Sequence, residues 1–334
     1  SLARNQKVYD GPGFLKWRSD VMRSGAATPG YLYDNPDNLP AGITMEQWLN
    51  GQNGDPQDLW LNRLGLVANE KKNFLEGRSV NWYDEIFRTG LRQDHTLSMS
   101  GRKDELTYYM SLGYLKNENL IEGGEFSTVR ARVNLEGKAA KFLTVGMNLQ
   151  FADRDEGSIE ADWDELTALS PYGDMYNEDG TLRRIPTDDN GLNARNPFLN
   201  PTYNDRMDKQ STLFGSLYAK ATLPFGITYQ LNFCPGLHYY RTFNHASSLN
   251  PNVTTPGGSV TRANETRYNW QIDNLLKWNR TFNKIHSVDV TLLANAEKYQ
   301  TWWTQGGNEG FVPNDGLGYH NLSSGIKPTV NRED

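Results

Sequence analysis

The sequence predicts an all-β fold, an antiparallel meander forming part of a large transmembrane β-barrel with long extracellular loops. Three observations predict it. From Gln93 onward apolar and polar side chains alternate, the two-residue repeat of a strand whose faces meet different surroundings. Tight turns and longer links follow one another in rotation between the alternating runs. No run of about 20 apolar residues occurs in the chain, which excludes a membrane helix. A barrel is compatible with a chain only 37% apolar and of mean hydropathy −0.71, because alternating strands average to a polar composition.

Residues 1–90 precede the first run and differ from it. Gly-Pro, Asn-Pro and Gly-Asp pairs punctuate them, with helical patterns around 13–22 and 44–50, so they are expected to form an extracellular loop region with short helices. Residues 91–334 are expected to hold about eight barrel strands, near 93–101, 105–121, 126–137, 142–154, 211–224, 227–243, 267–282 and 286–303. In the fourth, Leu143, Val145, Met147, Leu149 and Phe151 share one face, and Thr144, Gly146, Asn148 and Gln150 the other. The third sets Val129, Ala131, Val133 and Leu135 against Arg130, Arg132, Asn134 and Glu136. Links at 102–105, 137–141, 224–226 and 282–285 are tight, whereas long loops are expected at 155–210, 244–266 and 304–334. Such sorting is the layout of an outer-membrane barrel, with periplasmic turns and extracellular loops; a soluble sandwich has no reason for it. The apolar face is therefore assigned to lipid and the polar face to the lumen. Phe225, Tyr229, Trp278 and Phe282 near the turns, and Tyr239, Tyr240, Trp302 and Trp303 near the loops, read as two aromatic girdles.

Composition removes other classes. The net charge is −6 and no basic tract occurs, so nucleic acid is not an expected partner. A single cysteine, Cys234, excludes an intrachain disulfide framework. The histidines lack zinc-hydrolase spacing, and no GxSxG, P-loop or GxGxxG is present. Carboxylate clusters at 153–156 and 162–165 read as solvated loop residues. The "NEDG" (177–180) and "DDNG" (188–191) stretches read as turns rather than calcium loops. No catalytic residue, metal site or cofactor is expected.

Residues 81–157 carry "NWYDEIFRTG", "QDHTLSMSG", "YYMSLGYLKNENLI", "ARVNLEGK" and "LTVGMNLQF", and "YNEDGT", "NARNPF" and "DNLLKWNRTFNKIHSVDV" follow. Chained together, this pattern resembles the SusC/RagA-like TonB-dependent outer-membrane transporters of Bacteroidetes. The resemblance implies a plugged barrel of about 22 strands that imports glycans or other large nutrients such as peptides, with a SusD-like surface lipoprotein as its lid. It implies residence in the outer membrane of a Gram-negative bacterium. Since the sequence opens "SLARNQ" and closes "KPTVNRED", it is expected to be a piece covering the early barrel strands, with the TonB-contacting and plug parts lying elsewhere.

The longest loop interleaves aromatic rings with carboxylates and an amide. Trp163, Tyr172, Asp174, Tyr176 and Tyr203, beside Asp162 and Asn177, are the candidate ligand-binding residues, since such mixtures recognise sugars and peptides. The competing account is that these rings pack the loop against itself or against the lid. At the level of the whole chain, the alternative is a soluble or surface β-rich glycan-binding or glycan-cleaving module.

Overall fold

A computed structural model describes residues 8–25, 27–188 and 194–332. The chain divides into two compact units. One is drawn from the residues before Gly90 with Leu120–Glu122 and Glu160–Thr202, the other from Gly90–Asn119, Gly123–Ile159 and the residues from Tyr203 onward.

The second unit is built on a single antiparallel sheet with its strands in chain order. They are β1 (Arg92–Lys103), β2 (Leu106–Glu118), β3 (Glu125–Ala140), β4 (Leu143–Asp155), β5 (Asp205–Leu223), β6 (Ile227–Ala246), β7 (Ser259–Phe282), β8 (His286–Glu309) and a short β9 (Thr329–Arg332). The predicted meander is thus present. Its tight turns depend on left-handed backbone, at Asp104 (φ 51°), Phe225 (67°), Gly226 (78°), Asn283 (50°) and Lys284 (58°). Asp, Asn and Gly are the residues that reach this region most readily. Only Lys141 and Phe142 lie between β3 and β4.

Register separates the two faces, because directly paired residues point the same way. Gly101, Tyr108, Leu135, Met147, Leu217, Phe233, Ile272 and Ala296 form one cross-sheet row from β1 to β8. The same face carries Met99, Met110, Val133 and Leu149 in the next row. On the opposite face Thr107, Glu136, Gly146, Tyr218, Asn232, Asp273 and Asn295 align. That row is bonded internally: the Tyr218 hydroxyl donates to the Glu136 carboxylate, and Asn295 Nδ2 donates to Asp273 Oδ1 at 2.7 Å. On the apolar face one polar group is matched, where Tyr229 Oη donates to Asn274 Oδ1 at 2.6 Å. This face is bare, with Leu97 77% and Leu292 60% exposed, and no second sheet occurs among the described residues.

Three strands are longer than the alternation predicts. β5 begins at Asp205, β7 at Ser259, and β8 continues to Glu309. The expected loops 155–210, 244–266 and 304–334 shrink to 156–204, 247–258 and 310–328, the last followed by β9. Apart from Met207 and Val260, which pack with Phe243, Phe311 and Tyr319, the added residues, such as "DRMDKQ" and "TQGGNE", are mostly polar, so hydrophobic periodicity does not register them. They are held by the backbone ladder and by pairs such as Lys209–Asp155 at 3.1 Å. The loop-side girdle is also corrected. Tyr239 and Trp302 share the apolar face through Thr266, whereas Tyr240 and Trp303 share the polar face through Glu265.

The first unit is helical. It comprises α1 (Gly11–Gly25), α2 (Met45–Leu49), α3 (Pro56–Arg63), α4 (Ala68–Leu75) and α5 (Trp82–Ile86), and most of α6 (Leu199–Tyr203). Asp10 Oδ1 accepts the Gly13 amide at the start of α1. Thr44 and Gln47 form a capping box on α2, and Asp55 caps α3 ahead of Pro56. Helices this short are not stable alone. Trp48, Trp60, Leu61 and Leu64 close around Leu15, Leu66 and Tyr172 to hold them. Each buried indole N–H is satisfied, Trp48 by the Asp34 carbonyl, Trp60 by that of Tyr33 and Trp82 by that of Ser170.

One position in the sheet tolerates no side chain. The β5–β6 ladder skips from Phe214–Gly236 to Leu217–Phe233, around Pro235, which has no N–H to donate. On β5, a Cβ placed on Gly215 would lie 1.9 Å from the Asn148 carbonyl oxygen of β4. Gly215→Val is expected to destabilise the folded sheet by about 1–3 kcal/mol or more, measured by urea titration in lipid vesicles. Gly137→Ala, whose Cβ would come no nearer than 3.4 Å to any atom, is expected to be close to neutral. Equal stability of the two variants would contradict the close approach of β4 and β5.

Candidate ligand-facing loops and wall

The segment after β4 is organised by its polar residues before its aromatic ones. Asp162 accepts the Asp164 amide and so caps the 3₁₀ turn Trp163–Ala168. That turn leaves the Trp163 ring 50% exposed while Leu166 and Leu169 are buried beside Trp82 and Ile86. Tyr172 is buried, with its ring edge-on to Phe14 and Phe74. Burial, and then the charge of Asp10, raise its hydroxyl pKa. Gly11 leaves the room for it, since a Cβ there would lie 2.5 Å from Tyr172 Oη. Asp174 accepts from Asn69 Nδ2 (3.1 Å) and Asn73 Nδ2 (2.9 Å) and faces Arg183 at 3.7 Å.

Beyond it the chain turns back through "NEDG", with Tyr176 bridging to Leu182, Asn177 bonded to Thr181 and Gly180 at φ 82°. The Thr181 hydroxyl and amide hold the Asp179 carboxyl below its usual range. This stretch is therefore a turn. In "DDNG", residues 189–191 lie outside the described residues, as does Asn193 of "NARNPF". Tyr176 is 57% exposed, and Tyr203 is half-buried at the end of α6.

The five candidates are thus not gathered into one pocket. A cavity of about 530 Å³ lies elsewhere in the helical unit, between Phe14, Trp17 and Arg18 on α1 and Trp82, Leu166 and Leu169. Tyr9 stacks on Trp17 at its edge, ring centroids 6.3 Å apart. Sequence reasoning missed this aromatic wall. Its signal was the spacing of Phe14 and Trp17 within "GFLKWRSDVM", which places both rings near one another on a helix.

At the loop rim of the sheet, a second polar cluster joins 247–258 to 310–328. Asp315 accepts from the Ser248 amide (2.6 Å) and hydroxyl (2.9 Å) and lies 3.1 Å from His245 Nε2. Burial opposes the charge on Asp315, yet these bonds hold its carboxyl below the usual range. The residue types are those of a hydrolase triad, but Ser248 is bonded to the carboxylate rather than to the histidine, so nothing activates its oxygen. No cluster of three or more metal-binding side chains occurs among the described residues. These groups stack, accept and donate hydrogen bonds, and pair charges.

With the geometry in hand, known proteins can be compared. No protein-family model matches the chain. It is 22% identical over 254 residues to TonB-dependent receptor P26 of Formosa agariphila, covering 75% of this chain and 25% of that protein. A shorter stretch of 57 residues is 37% identical to TonB-dependent receptor SusC of Bacteroides thetaiotaomicron, covering 17% of this chain and 6% of SusC. Among solved structures, that of the RagAB peptide transporter superposes with a TM-score of 0.69 at 17% identity, covering 97% of this chain and 36% of the matched chain. The chain therefore spans about a quarter to a third of the length of proteins it matches over most of its own.

Removal of the Asp315 carboxylate is expected to cost about 1–3 kcal/mol, because Asp315→Ala strands the buried His245 and takes the acceptor from the Ser248 amide. A carboxyl whose pKa is lowered by folding stabilises above its unfolded value and loses that contribution as pH falls through the folded one. Protection of the Ser248 amide from exchange should therefore persist from neutral pH to about pH 5, and fall away below about pH 4. Loss of protection between pH 7 and 5 would contradict the assignment.

Proposed function

Because the chain is a SusC/RagA-like segment of a TonB-dependent receptor, we propose that it forms the early wall and loops of an outer-membrane nutrient importer. The apolar face of β1–β8 meets lipid, the polar face lines the lumen, and the tight turns are periplasmic. The loop-rim residues, including the segment after β4, are extracellular. There they meet a SusD-like lipoprotein lid and the incoming glycan or peptide. Energy coupling through TonB belongs to parts of the receptor outside this chain. The observation that carries the reading is the register: eight consecutive strands place their apolar residues on one bare face, which no part of the described sheet covers. Leucine exposed to water costs about 1.5–3 kcal/mol relative to burial, and lipid removes that cost. The relatives' receptor and transporter names support import rather than catalysis.

Within the loops, Trp163 and Tyr176 supply ligand-contacting rings, since both are exposed. Tyr172 and Asp174 act by holding the segment in shape, and Tyr203 borders it. Trp163→Ala and Tyr176→Ala are expected to weaken ligand binding by about 2–10-fold, the range of one aromatic contact, with the lid still bound. Tyr172→Ala is expected instead to destabilise the loop. Unchanged ligand affinity with a weakened lid complex would assign the rings to lid packing.

Orientation and lipid contact are tested together in intact cells and in vesicles. An epitope inserted at 178–180 is expected to label intact cells, and one inserted at 141–142 is not. Val145→Lys on the apolar face should cost about 2–4 kcal/mol on folding into vesicles, while Asn148→Lys should be tolerated. Reversed labelling would overturn the orientation, and equal cost of the two lysines would overturn the lipid assignment.

A further inference from the structure

The polar face of the sheet holds a cavity that neither the loops nor the alternation explains. It measures about 260 Å³ and is floored by Gly113 of β2 and Ala152 of β4, with Arg130, Arg132, Gln150 and Phe214 around it. The Arg130 guanidinium lies across β2 at Gly113, where a Cβ would meet its Nε and Nη2 at 3.4 Å, an ordinary contact.

The two arginines are pinned without being used up. Arg130 Nη2 donates to Asp94 Oδ1 at 2.5 Å, leaving Nη1 without a partner among the described residues. Arg132 Nε donates to Asn134 Oδ1 at 3.3 Å, leaving both terminal nitrogens free in the same sense, with the guanidinium 6.0 Å from the Tyr109 ring centroid. With Asp94 shared between Arg130 and Arg92, the latter at 3.8 Å, the two cavity arginines leave an excess of positive charge. Around it, Thr96, Ser111 and Gln150 face the same space and make no side-chain hydrogen bond among the described residues. An oriented guanidinium fork beside a small floor is the geometry that takes a planar carboxylate in paired N–H···O bonds. The neutral hydroxyls and amide suit the backbone that bears it.

We infer that this cavity is a carboxylate-binding subsite on the import path, with Arg132 and the free edge of Arg130 as its anion contacts and Asp94 as the residue that positions Arg130. It rests on the proposed function, because it takes the polar face as the lumen wall. A carboxylate reaches such a wall either on a uronate-bearing oligosaccharide or on an acidic peptide. The chemistry of recognition is shared, and the experiment separates the two.

The test uses the complete receptor in outer membranes, with folding checked by heat-modifiable migration. The probes are an oligogalacturonate and its methyl ester, and a Glu-containing peptide and its Gln counterpart. Wild type is expected to bind at least one acidic probe at least tenfold more tightly than its neutral partner. Whichever acidic probe is preferred identifies the source. Arg132→Gln and Arg130→Gln are expected to erase that preference while leaving the neutral probe's affinity within about twofold, and Arg132→Lys should retain part of it. Should Arg130→Gln fail to fold without its Asp94 pair, Arg132→Gln and Arg132→Lys still decide, since Arg132 pairs with no carboxylate. No preference for either acidic probe, or equal losses for acidic and neutral probes, overturns the subsite. If the epitope and lysine results above hold while the preference is missing, the subsite alone fails. If those results fail, the importer reading fails with it.

Discussion

One constraint governs the sheet: its strands alternate, and one of the two resulting faces has nothing apolar to lie against. Leu97, Met99, Leu112 and Leu292 are each more than half exposed there. At about 1.5–3 kcal/mol per exposed side chain, a few such residues equal the whole net stability of an ordinary domain, about 5–15 kcal/mol. The face must therefore meet lipid or another apolar surface. Lipid explains features that a protein partner does not. The turns are confined to one rim, and β7 runs for 24 residues, where about 9–11 suffice to cross hydrocarbon. Strand ends beyond a bilayer are then free to be mostly polar, as those of β5, β7 and β8 are.

The polar face follows from the same alternation and obeys a different rule. Its side chains have no lipid to meet, so they bond one another across strands, as in the Tyr218–Glu136 and Asn295–Asp273 contacts. Glycines set where large groups fit on this face. Gly146 leaves space for the Tyr218 ring and Gly236 for the Asn269 amide, a Cβ at either lying 2.4 Å from its neighbour. The wall is thus a surface of shaped, partly paired polar groups rather than a featureless lining.

How much of this was legible in the sequence depended on which force held each part. Period-two alternation revealed the middle of each strand, because a sheet with one apolar and one polar face imposes it on every residue there. It was silent at Asp205–Gln210 and Ser259–Thr266, where backbone pairing, the Lys209–Asp155 ion pair and the packing of Met207 and Val260 on Phe243 hold the strand. The same alternation places Tyr239 and Tyr240 on opposite faces, so only one of them can belong to a girdle, which is defined by face as well as by height. In the helical unit the short helices over 56–63 and 68–75 carry little periodic signal. They are fixed by caps and by Trp48 and Trp60, which come together only in three dimensions. The loop candidates divided for the same reason. Composition marked Tyr172 and Asp174 as readily as Trp163 and Tyr176, but the first two are engaged by Phe14, Phe74, Asn69 and Asn73, contacts distant in sequence.

The central claim is that successive residues of one strand face lipid and lumen in turn. Spin labels placed one at a time from Leu143 to Ala152, in a receptor with Cys234 replaced by Ala and reconstituted in vesicles, test it directly. The account predicts that collision with oxygen, which concentrates in lipid, peaks at 143, 145, 147, 149 and 151. Collision with a water-soluble nickel chelate should peak at the residues between them. Oxygen and chelate rising and falling together, or odd positions shielded from both, would contradict it.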